Sequence, residues 1–231
     1  MATQALFDIG NVILEPTPTF ARLKTKTHAW LPLIVLIVLT VGILFWWIAT
    51  VDFTWLTEHM LAAQPKATPE TRAALQRFLT PTTMMLSSGF GAVVGQLGIF
   101  ALSAAYYMVA AKVLGTQVAY GKWFGFSVWT SIPRLLTVPL SALQIMTSHG
   151  RVAMEDLNMV SLNYLALHLP PTSPWAAMAG AIDLTVVWSI VLTVIGFKAW
   201  TGRSTAACVT VALLPSVVVY GLWAAKIALM G

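Results

Sequence analysis

Two formal charges lie where an apolar chain can least accommodate them. Arg134 and Asp183 each fall inside a long hydrophobic stretch. By insertion scales a charge at the centre of a membrane helix costs about 2.5–3.5 kcal/mol, so such residues normally face a partner or a water-filled space. If the two stretches run antiparallel across a bilayer, counting at 1.5 Å per residue brings both charges to similar depths, within reach of an arginine side chain. One reading is a proton or ion relay, or a site for an anionic headgroup. The other, which we favour here, is a structural pair that locks two helices together.

Three polar side chains in apolar runs, Gln96, Ser103 and Gln144, are candidates to hydrogen-bond across helices and to help satisfy Arg134. His59, His149 and His168 are the weak metal candidates, with Glu58, Glu155 and Asp156 nearby in sequence. They show neither the H-E-x-x-H pattern nor the H-x-x-x-H spacing of a metal-binding helix, so no metal and no cofactor is expected. Nucleophile-elbow, P-loop and dinucleotide signatures are also missing. Only one carboxylate is expected inside the membrane, so a non-catalytic role is expected.

The elements that must position these residues follow from composition. The chain has 231 residues, 58% hydrophobic and 9% charged. Soluble domains carry about 25% charged residues, so lipid must be the outer solvent of this one. The net charge of +5 is spread between apolar runs. Its expected partner is therefore the anionic bilayer surface rather than nucleic acid. Cys208 is the lone cysteine and can form no intrachain disulfide.

The predicted fold is an all-α polytopic membrane protein with five transmembrane helices, at about 29–51, 84–112, 120–147, 175–197 and 204–226. A cytoplasmic N-terminal arm, residues 1–28, precedes them and lacks the signal-peptide pattern. Tryptophans near the predicted span ends, such as Trp30, Trp46 and Trp175, suit the aromatic belts; Trp129 and Trp188 are expected deeper, beside the polar pair. In the second span Gly91 and Gly95 form a G-x-x-x-G face, suited to packing within the bundle or to a second copy. In the third, Pro133 and Pro139 predict a kink or break.

Two long outer loops should carry short amphipathic interfacial helices. In the first, Thr68-Pro69 reads as an N-cap with proline at the first helical position. In the second, Ala153, Leu157, Val160, Tyr164 and Leu167 recur at helical spacing. Arg22, Lys24, Lys26, Lys112, Lys122, Lys198 and Arg203 fall on the N-terminal side of the membrane. Lys66, Arg72, Arg77, Arg151 and Lys226 fall on the other side, in much longer loops. This density predicts a cytoplasmic N-terminus and an exterior C-terminus.

Three stretches carry a resemblance. Pro16-Thr17-Pro18-Thr19-Phe20 precedes the first span. Tyr120-Gly121-Lys122-Trp123-Phe124-Gly125-Phe126 leads to Ser131-Ile132-Pro133. Asp183 to Ser189, with Leu192, Gly196-Phe197 and Ser204-Thr205-Ala206, forms a final hairpin. In these the chain resembles the Yip1 domain family over roughly residues 10–230. The resemblance implies five spans, an inward N-terminus and a short exterior C-terminus, and it is similar to a bacterial inner-membrane member. Eukaryotic relatives contact Rab-type GTPases through a longer cytoplasmic region, and the short arm here argues against GTPase binding. The function expected is that of a membrane scaffold or adaptor with a membrane-protein partner or a homo-oligomeric state. The alternative is a small ion or solute transporter or channel using Arg134 and Asp183.

Overall fold

The computed structural model describes residues 2–64 and 68–230, leaving Lys66 outside the described residues. Among these the regular structure is helical: α1 (Ala2–Leu14), α2 (Pro16–Thr25), α3 (Trp30–Thr50), α4 (Phe53–Ala62), α5 (Pro69–Phe78), α6 (Pro81–Val113), α7 (Tyr120–Thr130), α8 (Thr137–Thr147), α9 (Ala176–Ala181), α10 (Leu184–Thr201) and α11 (Thr205–Met230). Four of them are long and apolar enough to cross a membrane: α3, α6, α10 and α11. At 33 residues, α6 is about 50 Å long, against a hydrocarbon core of about 30 Å, so it tilts or projects beyond the lipid.

The stretch 120–147 is not one helix. α7 ends at Thr130, a 3₁₀ segment follows at Ile132–Leu136 around buried Pro133, and α8 takes over with Pro139 as its third residue. Proline lacks the N–H that would continue the α ladder, and its ring crowds the preceding turn. The predicted fourth span is interrupted as well. α9 stops at Ala181, Ile182 is extended, and Asp183 precedes the first turn of α10.

The chain divides into two compact units. The first comprises Met1–Val38, Gly95–Leu135 and Thr185–Trp223. Its core is aromatic: Phe20, Trp123, Phe126, Phe197 and Trp200 are all but fully buried. Trp123 stacks on Phe197 with ring centroids 5.3 Å apart and lies 5.2 Å from Trp200. The expected N-terminal arm is instead part of this core. Residues 2–25 fold into α1 and α2, which bury Val12, Phe20 and Leu23. The indole N–H of Trp200 donates to the Phe20 carbonyl at 2.9 Å, and buried Asp8 accepts from Arg22 at 2.7 Å. Gly196 is where α10 meets these rings, since a Cβ there would lie 2.6 Å from Phe126 and 2.7 Å from Phe20.

The second unit comprises Leu39–Val94, Leu136–Leu184 and Ala224–Gly231. Leu44, Trp47, Ile48, Leu56, Met84 and Ile145 belong to its core. The loop after α8 is pinned to the C-terminal end of α3: Trp47 Nε1 donates to the Val152 carbonyl at 3.0 Å, and Asp52 N donates to the Gly150 carbonyl at 2.9 Å. Gly150 has φ +80°, and a Cβ there would lie 2.8 Å from the Thr50 carbonyl oxygen, so only glycine fits this approach. The amphipathic α-helix expected over 148–173 does not form. The segment contains a 3₁₀ turn at Met154–Leu157 and a π turn at Asn163–Leu167. Between them the chain pairs non-locally with the entry to α10: Leu162 N donates to Ile182 O at 2.7 Å and Leu184 N to Val160 O at 3.2 Å. These long-range bonds outweigh a helical periodicity of only a few turns.

Candidate functional site

Arg134 lies in the 3₁₀ segment between α7 and α8 and borders a cavity of about 180 Å³ inside the first unit. Helical spacing builds its polar wall. Ser127, Thr130, Ser131 and Arg134 follow one another at i, i+3, i+4 and i+7, and Ser189 and Thr193 follow at i, i+4 on α10. Ser103 on α6 and Ser216, next to the mid-helix Pro215 of α11, complete it.

The hydroxyls are largely committed to their own helices. Ser127 donates to Trp123 O at 3.0 Å, Thr130 to Phe126 O at 3.1 Å, Ser131 to Ser127 O at 2.9 Å and Thr193 to Ser189 O at 2.8 Å. Such back-bonding is how serine and threonine satisfy themselves in apolar surroundings. In these four it leaves oxygen lone pairs free to accept from whatever enters. The Ser189 hydroxyl oxygen is buried without a hydrogen-bond partner. The wall therefore combines one guanidinium with a ring of hydroxyls, which suits water and small polar solutes.

Asp183 stands at the break between α9 and α10, at the N-terminal edge of α10, where helix N–H groups and the positive end of the helix dipole favour an anion. It forms an antiparallel bridge with Ser161, and its carboxylate accepts from Asn158 Nδ2 at 2.8 Å. Arg134 belongs to the first unit and Asp183 to the second. Arg134 borders the hydroxyl-lined cavity, and Asp183 sits at a loop-to-helix junction.

The remaining expected residues scatter. Ser103 shares the cavity with Arg134. Gln144 belongs to the second unit, where it donates to the Asp156 carbonyl and to the Tyr164 hydroxyl, both at 3.3 Å. Gln96 is half-buried on α6. Open space surrounds Gly91 and Gly95, with no atom within 4 Å of where a Cβ would stand. Trp129 is fully buried and Trp188 is 38% exposed. His59 pairs with Glu155 at 3.0 Å and stacks on Trp55, while His149 and His168 take left-handed backbone conformations. Among the described residues no group of three or more His, Cys, Asp or Glu side chains could hold a metal. Sequence reasoning missed Tyr107, Thr130, Ser189, Thr193 and Ser216 as cavity residues. The signal was present as a polar stripe of helical period within apolar runs.

The Yip1 domain matches residues 10–225. The chain is a member of the Yip1 domain family. It is also similar to the membrane protein YknW of Bacillus subtilis, 25% identical over 201 residues that cover 84% of this chain and 78% of that protein. No solved structure matches the chain. The matched region includes α2, the cavity around Arg134 and the Asp183 junction. The family region thus begins within α1 and takes in the packed α2 helix, not only the apolar spans.

Proposed function

We propose that this Yip1-family membrane protein is a non-catalytic scaffold or adaptor of the bacterial inner membrane, organising partner membrane proteins or further copies of itself. Its N-terminus is cytoplasmic, and five membrane crossings are completed by the broken α7–α8 segment acting as the fifth. The observation that carries the reading is α6. In its most apolar window only 11% of the helix is buried, and Gly91, Gly95 and Gly98 have no atom within 4 Å of a Cβ position. Small residues let helix backbones approach closely in lipid, where packing rather than the hydrophobic effect drives association.

The test is in-membrane association of the reconstituted protein, followed by single-molecule photobleaching or cross-linking. The double variant Gly91→Ile/Gly95→Ile should fold and melt like the parent, because the space is open, yet lose association with itself or with its partner. Unchanged association in that variant removes the basis for the proposal. A second reading, a small ion or solute conduit, is supported by the hydroxyl-lined cavity beside Arg134. Solute flux through reconstituted vesicles that falls on Arg134→Gln would favour it.

A further inference from the structure

The second unit holds a separate cavity of about 610 Å³, bordered by Trp55, Gln144, Arg151, Asp156, Tyr164 and His168. That volume lies in the range of small-molecule sites, about 300–1,000 Å³. The cavity sits beside the C-terminal end of α3, a candidate membrane span, because the loop carrying Arg151 and Val152 is held there by Trp47 and Asp52. A cavity at the end of a span lies at headgroup level, where tryptophan and tyrosine are also at home.

Its chemistry is two-signed. Asp156 brings a carboxylate and Arg151 a guanidinium. Arg151 Nε stands 3.9 Å from Asp52 Oδ2, and the side chain is 67% exposed, which leaves its guanidinium open to an anion. Asp52 is also occupied elsewhere, accepting from Thr54 N and Trp55 N at the start of α4. Gln144 donates to the Tyr164 oxygen, which leaves the tyrosine hydrogen for an acceptor in the cavity. His168 is set in place by a left-handed backbone, φ 47°, and by the Asn163 ring of bonds: His168 N donates to Asn163 O at 2.8 Å and Leu169 N to Asn163 Oδ1 at 2.9 Å. A non-glycine residue held at positive φ is a strained arrangement that a ligand site can make use of.

We propose that this cavity binds a zwitterion of the phosphoethanolamine type, with Asp156 receiving the ammonium, Arg151 the phosphate, and Trp55 and Tyr164 flanking the carbons between them. An ammonium ion would relieve a penalty already present. Partial desolvation and the neighbouring Glu155 charge push the Asp156 carboxyl up, and His59 offsets part of this. Arginine suits a phosphate because its fork of donors matches two phosphate oxygens at once.

The test uses the full-length protein purified in mild detergent. Its thermal midpoint is followed while dihexanoyl phosphatidylethanolamine, dihexanoyl phosphatidylglycerol or free phosphoethanolamine is added. The proposal expects a saturable rise with the ethanolamine lipid and at least a tenfold weaker response to the glycerol lipid. It also expects at least tenfold weaker ethanolamine binding in Asp156→Asn and in Arg151→Gln. Should Asp156→Asn fail to fold, Asp156→Glu keeps the charge and should retain most of the response. A response to the lipid alone identifies a headgroup site, whereas an equal response to free phosphoethanolamine identifies a site for the soluble zwitterion. Equal binding of both lipids, no response to any probe, or a response that survives both variants overturns the proposal.

Discussion

The two units solve the same problem by different means. The first is held by interlocked rings, with Trp123 against Phe126, Phe197 and Trp200, Phe126 against Trp200, and one indole-to-carbonyl bond from Trp200 to Phe20. The second is held by polar bonds between distant stretches of chain: Trp47 to Val152, Ser141 to Leu157, Asn158 to Asp183, and the Leu162–Ile182 pairing. Ring packing is distributed over many small contacts, so its loss grows with the side-chain volume removed or forced in. Hydrogen bonds are directional, and each buried group left unpaired costs the full desolvation penalty. The first unit should therefore behave as a rigid block, and the second as a set of loops whose shape depends on individual residues.

The sharpest break is in the aromatic block. Trp200→Ala removes a fully buried ring and its bond to Phe20, and should destabilise the protein by about 3–5 kcal/mol, read as lost thermal stability in detergent. Gly196→Val forces atoms into Phe126 and Phe20, with an expected cost of about 1–3 kcal/mol. In the second unit Gly150→Ala meets both the positive φ and the Thr50 carbonyl, and should cost about 1–3 kcal/mol. There the readout is local: faster amide exchange over 148–162 with the aromatic block still protected. Global unfolding by Gly150→Ala would mean the two regions do not differ as described.

Smaller still is Asn158→Ala, which removes one bond to the Asp183 carboxylate and should cost about 1–3 kcal/mol at the low end of that range, again confined to the second unit. The smallest effect is a pH dependence. The Asp156 carboxyl is raised in the folded protein, so the fold binds more protons than the unfolded chain between the unfolded and folded pKa values. Protection of the 148–173 loop should thus be greatest when Asp156 is protonated and should fall as pH rises through its folded pKa. Asp156→Asn should flatten that slope, and an unchanged slope would assign it to another group.

The contrast also explains what was legible in the sequence. Runs of apolar residues marked α3, α6, α10 and α11, because a helix spanning lipid must be apolar over about 20 residues. The start of α5 could be read from Thr68-Pro69, and the Thr68 hydroxyl does accept from Thr71 N at 3.2 Å. The docking of α1 and α2 was not legible. Asp8, Glu15 and two prolines dominate the composition there, while the buried Val12, Phe20 and Leu23 are few and widely spaced. The second outer loop misled for the opposite reason, since its apolar period suggested a helix but its shape comes from bonds to residues about twenty positions away, as in Leu162–Ile182. The Arg134 cavity was half visible. The arginine and Ser103 stood out, but the back-bonded hydroxyls that form the wall read as ordinary span residues.

The central claim is that this protein organises partners rather than conducting solutes. The most direct measurement replaces Cys208 with serine, introduces Ser189→Cys at the cavity wall, and applies membrane-impermeant thiol reagents from each side of the membrane. Labelling from at most one side is the predicted result, with the cavity closed toward the other. Labelling from both sides would show a continuous water path past Arg134 and would contradict the scaffold reading.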